Sequence, residues 1–306
     1  MKSHYGSWES TITPEKITEG GLRFSEIRSS GSDLYFLEGR PEESGRYVIV
    51  KQASDGKISD VIPKEFNSRN AVHEYGGGSY AVGQKNIYFT NWDDQRIYKV
   101  NGENVNPITK EPPFEKSIRY SDLTLSIDEE WLFCVRETHF KKEEAKNELV
   151  AISTTENSQI VLCTGRDFYS SPRINPTNKE ICWLEWDHPN MPWDGTELFI
   201  ANFDLDGLSE IKFIDGSKNI SIIQPEWSDS GELIYISDES GWWNLKKYSE
   251  NTNSTILNEK SDHGGPSWQF GFRTYFVKDN NIYLKGISKN KNKGLIRKIS
   301  ISGQIL

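Results

Sequence analysis

With 306 residues, the chain has room for two ordinary domains or one large all-β domain. Its formal net charge of -9 at pH 7 argues against a nucleic-acid partner, which needs clustered Lys and Arg. Hydrophobic residues are only 35% and mean hydropathy is -0.66, yet aromatics reach 12%, which excludes a disordered chain and suits many short, half-buried strands.

The predicted elements recur along the chain. A strand, a polar turn and a strongly apolar strand come first, then an alternating strand such as Tyr47–Val50, Ile97–Val100, Leu149–Ile152 or Leu198–Ala201. A fourth, edge-like strand often follows, as at Gln159–Leu162. The spacing is about 45–50 residues, the blade length of a β-propeller, and four antiparallel strands per unit is the blade pattern. Six units are predicted, at 22–64, 69–110, 118–164, 168–216, 220–262 and 264–306, forming a single all-β propeller domain. Lys141–Lys146 reads as a charged hairpin loop in the third unit, and Lys289–Lys298 as a solvated hairpin. Ser302–Leu306 reads as the start of an outer strand.

Cys134, Cys163 and Cys182 lie in apolar runs without metal-ligand spacing, so free buried thiols in a reducing cytoplasm are expected. Residues 1–7 lack a signal-peptide core, and no run approaches the roughly 20 apolar residues of a membrane span, so no membrane partner is expected.

The run EWDHPNMPWDGTEL (185–198) carries two prolines and two tryptophans between apolar segments and reads as a shaped loop on a β scaffold. It resembles a segment of the propeller domain of prolyl-oligopeptidase-type serine peptidases, in their acylaminoacyl-peptidase and dipeptidyl-aminopeptidase-like branch. HEYGGGSY (73–80), SDESGWWNL (237–245), GPSWQFGFRTY (265–275), and RYSD (119–122) with VRETH (135–139) are similar to further segments of that propeller, in the same order. The resemblance covers nearly the whole chain. It implies a non-catalytic propeller that covers an active site and admits only short peptides to an α/β-hydrolase domain. That domain's G-x-S-x-G elbow does not occur here; GGSYA (77–81) comes nearest and Ala81 breaks it. The family's seventh blade is also unmatched. No catalytic residue is therefore assigned, and the chain is expected to be inactive alone.

Other candidates are weighed residue by residue. Gly76–Gly78 lacks the Lys-Ser/Thr of a phosphate loop and is read as permitting close backbone approach or positive φ. His73 and Glu74 either face a channel or form a hydrogen-bonded pair that fixes their turn; the second is preferred. Asp187 and Asp194 could hold a peptide's α-amino group, as acids in some relatives' propellers do, or could cap turns, which is favoured. His188 and Trp193 share that loop, and His188 is expected to pack on Trp186 or Trp193. Trp242 and Trp243, placed on a strand, would point to opposite faces, with Trp242 a candidate platform. Asp204–Gly207 is read as a hairpin turn rather than a calcium loop. The five histidines are scattered, so neither a metal nor a cofactor is expected.

The leading expectation is the gating half of a serine peptidase; the alternative is a stand-alone propeller that binds proteins or peptides. A propeller glycosidase or lactonase is a weaker third reading. Unpartnered first and last blades are expected to drive self-association.

Overall fold

The computed structural model describes residues 4–18, 21–287 and 294–306. The chain is an all-β propeller chain of six antiparallel meander sheets that follow one another in sequence. Helical segments among the described residues are α1 (Pro14–Thr18) and a 3-10 turn at Pro41–Glu43. Two compact units are formed, Met1–Ser68 and Arg69–Leu306.

The first unit holds blade one: β1 (Arg23–Ser30), β2 (Asp33–Arg40), β3 (Arg46–Gln52) and β4 (Ile58–Asp60). Its buried centre is Val48, Ile49 and Val50 on β3. The short edge strand β4 is held by a bidentate pair from Arg40 to Asp60, both contacts at 2.7 Å.

The second unit holds the other five sheets. Blade two is β5 (Tyr80–Val82), β6 (Ile87–Thr90), β7 (Ile97–Asn101) and β8 (Asn104–Pro107). Blade three is β9 (Ile118–Leu125), β10 (Trp131–Thr138), β11 (Lys146–Ser153) and β12 (Gln159–Thr164). Blade four is β13 (Phe168–Ile174), β14 (Glu180–Trp186), β15 (Glu197–Asp204) and β16 (Gly207–Gly216). Blade five is β17 (Ile222–Trp227), β18 (Leu233–Ser237), β19 (Asn244–Ser249) and β20 (Thr252–Thr255). Blade six is β21 (Tyr275–Lys278), β22 (Asn281–Ile287) and β23 (Gly294–Ser300). It shows three paired strands where four were expected, and beyond β23 only an isolated bridge joins Ile299 to Ile305. The Lys289–Lys298 hairpin predicted from sequence lies partly outside the described residues; Gly294–Lys298 belongs to β23.

The near-continuous apolar runs follow from packing each sheet on both faces. Side chains alternate along a strand, so neighbouring residues serve different interfaces. On β10, Phe133 and Val135 pack with Ile181 and Trp183 of blade four, whereas Leu132 and Cys134 pack with Tyr88 and Ile97 of blade two. On β14, Cys182 and Leu184 turn to Leu233 and Tyr235 of blade five. Ile234 and Ile236 then meet Ile282 and Leu284 of blade six. A fully buried side chain of this kind contributes about 1.5–3 kcal/mol, so an inner strand must be apolar at every position rather than at alternate ones.

The turns follow their chemistry. Leu205 and Asp206 make the two-residue hairpin between β15 and β16, and Asp204 Oδ1 accepts the Asp206 N–H at 2.9 Å. The charged hairpin predicted at Lys141–Lys146 falls in the 139–145 loop between β10 and β11, except that Lys146 is the first residue of β11.

One repeated device was not expected. The innermost strands of blades one, three, four and five each carry a bulge with a left-handed residue that is not glycine: Glu26 (φ 52), Asp122 (φ 58), Ser171 (φ 56) and Gln224 (φ 53). Such residues are disfavoured for a non-glycine side chain and persist where surroundings over-determine them. Here the partners are visible. Asp122 Oδ2 accepts the Ser171 N–H at 2.6 Å, and Gln224 Oε1 accepts the Thr274 N–H at 2.6 Å, so these two bulge side chains tie one blade to the next.

Candidate functional site

The inner-strand ends and entry loops of the second unit enclose a cavity of about 320 Å³. Four segments build it. The turn His73–Gly76 leads into blade two, β13 and the end of β14 supply Phe168, Arg173 and Trp186, the 187–196 loop supplies Trp193, and the connection into β21 supplies Trp268, Phe270 and Phe272. Its floor includes Gln224 and Glu226 of β17.

The walls are aromatic. Phe168 stacks on Trp186 with ring centres 5.4 Å apart, and the His73 ring stands edge-on to both. Trp193 and Trp268 meet at 4.4 Å, and Tyr75 abuts Trp268 at 5.2 Å. Such a cavity favours a flat apolar group, because it offers π faces and edges at low entropic cost.

Charge sits at defined points. The Glu74 carboxylate is largely exposed and pairs with Arg119 at 3.0 Å. Glu226 Oε1 is shared by Arg173 at 3.3 Å and Arg273 at 2.7 Å. Arg173 also reaches buried Asp122 at 3.0 Å, and these carboxylates hold its guanidinium charged against the desolvation that burial imposes. The Gln224 Nε2 atom is buried without a hydrogen-bond partner.

The GGG segment works by close approach. Gly76, Gly77 and Gly78 all have positive φ, and a Cβ on Gly77 would lie 2.3 Å from the Phe270 carbonyl oxygen. Gly77 and Phe270 form a parallel bridge, and the Phe270 N–H donates to Gly76 O at 2.9 Å. A phosphate cradle is not what these glycines provide.

The residues singled out from sequence divide among several places. His73, Glu74 and Trp193 line the aromatic cavity. His73 and Glu74 do not fix their turn by bonding each other, as was preferred. The His73 N–H donates to Glu137 at 2.9 Å, and Glu74 is held by Arg119. Burial pushes the His73 imidazole down to about 4, because the ring sits among aromatics that cannot solvate a charge.

Asp187 and His188 instead line a second cavity of about 250 Å³. There Arg166 is shared by Asp187 at 3.0 Å and Glu197 at 2.6 Å, and Asp187 Oδ1 also accepts the Asp167 N–H at 2.9 Å. His188 packs edge-on against Phe168 at 4.8 Å rather than on Trp186 or Trp193. Asp194 lines neither cavity; its Oδ2 accepts the Met191 N–H at 2.9 Å and closes the loop turn. Trp242 also lies outside both cavities and is 41% exposed. It precedes β19 rather than lying on a strand, while Trp243 packs against the blade-five and blade-six core.

Sequence reasoning assigned no site role to Tyr75, Phe168, Trp268, Phe270, Arg173 or Gln224. For Trp268 and Phe270 a signal existed: GPSWQFGFRTY is dense in aromatics and glycine and lacks strand alternation. Cys134 and Cys182 are buried and Cys163 is half-buried, all three free. No group of His, Cys, Asp and Glu among the described residues could hold a metal ion. No helix among the described residues is long and apolar enough to cross a membrane.

A propeller chain with an aromatic cavity at its blade entry loops is the class these features define. It is similar to a puromycin-hydrolyzing peptidase of Mycobacterium tuberculosis, with TM-score 0.87 and 28% identity over 99% of this chain and 49% of that one. A puromycin hydrolase matches with TM-score 0.87 and 26% identity, again over 99% and 49%. A prolyl endopeptidase shares the fold, with TM-score 0.64 at 9% identity over 93% of this chain and 42% of that one. The chain thus spans about half the length of these peptidases, and its likeness to the propeller of prolyl-oligopeptidase-type peptidases extends over nearly its whole length. No protein-family model and no curated protein matches it.

Proposed function

We propose that this chain is the non-catalytic propeller of a prolyl-oligopeptidase-like serine peptidase of the acylaminoacyl or dipeptidyl-aminopeptidase type. In this reading it works with an α/β-hydrolase domain, acts in the cytoplasm, and admits short peptides or aminoacyl amides to the hydrolytic centre. The aromatic cavity takes a flat side chain of the substrate, and the exposed Glu74 carboxylate at the same cavity faces the substrate's polar end. The observation that carries the reading is the cavity between Trp193, Trp268, Phe168 and Trp186, on a chain similar to half of a puromycin-hydrolyzing peptidase.

The test uses the chain itself. Titration with L-phenylalaninamide, followed by tryptophan fluorescence, should saturate, and Trp193→Ala should weaken binding about tenfold, the loss of one aromatic contact worth about 1.4 kcal/mol. The chain alone should not hydrolyse L-phenylalanine p-nitroanilide. Hydrolysis abolished by a substitution within residues 1–306 would overturn the non-catalytic assignment, and absence of any saturable signal would overturn the cavity's role.

A further inference from the structure

The connection from β20 to β21 is built differently from the other walls of the cavity. Its base is pinched shut: the Thr274 hydroxyl donates to His263 O at 2.6 Å. Each end of the pinch is fixed to blade five, with the His263 N–H on Trp243 O at 2.8 Å and the Thr274 N–H on Gln224 at 2.6 Å. Between these two anchors, residues 264–273 leave the sheet as a closed loop of the Ω type. The loop has no regular strand of its own, and its one ladder contact is the Gly77–Phe270 bridge.

The loop's tip rests on blade two, far away in sequence. The Phe270 N–H donates to Gly76 O at 2.9 Å, and Gln269 Nε2 donates to Tyr75 O at 3.2 Å. Both hydrogen bonds use backbone oxygens of the turn, and packing adds to them: the Phe270 ring lies 4.9 Å from the His73 ring and against the core of blades three and four, and Trp268 abuts Tyr75. Trp268 and Phe272 remain 51% and 42% exposed although they border an apolar cavity. Glycines stand where the backbone must swing, Gly264 and Gly265 next to the base and Gly271 (φ +72) next to the tip.

A pinched base, a tip latched at one place by two hydrogen bonds and the Phe270 ring, and half-exposed aromatics together describe a hinged cover. We propose that residues 264–273 are a flap that opens and closes the aromatic cavity, with Phe270 on Gly76–Gly77 as its latch. This rests on the cavity being the substrate site. In the closed state the flap brings Trp268 against Trp193 and completes the aromatic wall. In the open state that wall is absent and a bulky side chain can enter. The flap therefore sets both the access rate and the size of group the cavity retains.

Amide hydrogen exchange on the intact chain tests the flap without any ligand. The Phe270 amide should open locally, at least 100-fold more often than the Tyr235 amide of β18, with a rate insensitive to low urea. Gly77→Ala, whose methyl would meet the Phe270 carbonyl, should raise Phe270 opening at least tenfold and leave Tyr235 unchanged. If that variant does not fold, Gln269→Ala removes the second latch contact and should raise opening at least threefold. Protection of Phe270 equal to that of Tyr235, lost only together with the blade, would overturn the flap. The substrate reading fails separately: local opening at Phe270 in a protein that never binds L-phenylalaninamide keeps the flap and removes the proposed occupant.

Discussion

Asp122 and Arg173 meet 3.0 Å apart in the interior, the first on the innermost strand of blade three and the second on that of blade four. Asp122 is a left-handed bulge residue, and its second oxygen takes the Ser171 N–H at the bulge of the next blade. One carboxylate thus satisfies a buried cation and a buried backbone donor, which offsets the cost of burying both.

Removing that carboxylate should therefore be costly. Asp122→Ala should lower the unfolding free energy by about 3–5 kcal/mol, because it leaves the buried Arg173 charge with Glu226 as its remaining carboxylate partner. Urea denaturation of both proteins measures it. A loss below about 1 kcal/mol would mean that Glu226 alone compensates Arg173.

A neutral link between blades four and five gives a second test. The buried Thr196 hydroxyl donates to Ile222 O at 2.7 Å and accepts the Ile222 N–H at 2.8 Å. Thr196→Val keeps the shape but leaves both backbone groups unpaired. A loss of about 2 kcal/mol or more is expected from the denaturation midpoint, while Thr196→Ser should retain most of the stability.

His73 sets a pH dependence. Its folded-state value is pushed down to about 4 from an ordinary 6.5, so between these limits the unfolded chain binds a proton that the folded protein does not. Stability should be full above pH 6.5 and fall as pH drops toward 4, by at most about 3 kcal/mol. His263, also lowered by burial, acts in the same direction. In His73→Gln the slope of stability against pH in this window should become shallower than in the parent; identical slopes would show that His73 can be protonated in place.

The thiols should be inert in the folded chain. Burial raises Cys134 and Cys182 far above the ordinary thiol range, and pushes Cys163 up to about 12. At pH 8, Ellman's reagent should label none of the three within minutes, and all three in urea. Rapid labelling of the native protein at Cys163 would show that the outer strand β12 opens locally.

The architecture was legible in the sequence because its determinants are local. A strand packed on both faces must be apolar at consecutive positions, so Leu132–Val135 and Leu233–Ile236 declare themselves as inner strands without knowledge of their partners. The Asp204–Gly207 hairpin and the close approach at Gly76–Gly78 follow in the same way from what aspartate and glycine permit. The motif resemblance added the likeness to peptidase propellers.

The site was only partly legible: His73, Glu74 and Trp193 were singled out in sequence, but the rest is made by residues distant in sequence that only blade packing brings together. Tyr75 and Trp268 form one wall, and Asp122, Arg173 and Glu226 one ion network spread over three blades. For Asp187 and Asp194 turn capping was the favoured reading, and Asp194 does close its own turn, but the Arg166 partner of Asp187 lies outside that loop and was not anticipated. Trp193 looked no different from Trp242, and only the path of the chain puts the first in the cavity and the second outside it. Short-range periodicity and turn chemistry decided what each segment becomes. Which polar side chains are spent on structure, and which surfaces enclose a cavity, depends on contacts between blades, and those were fixed only by the tertiary structure.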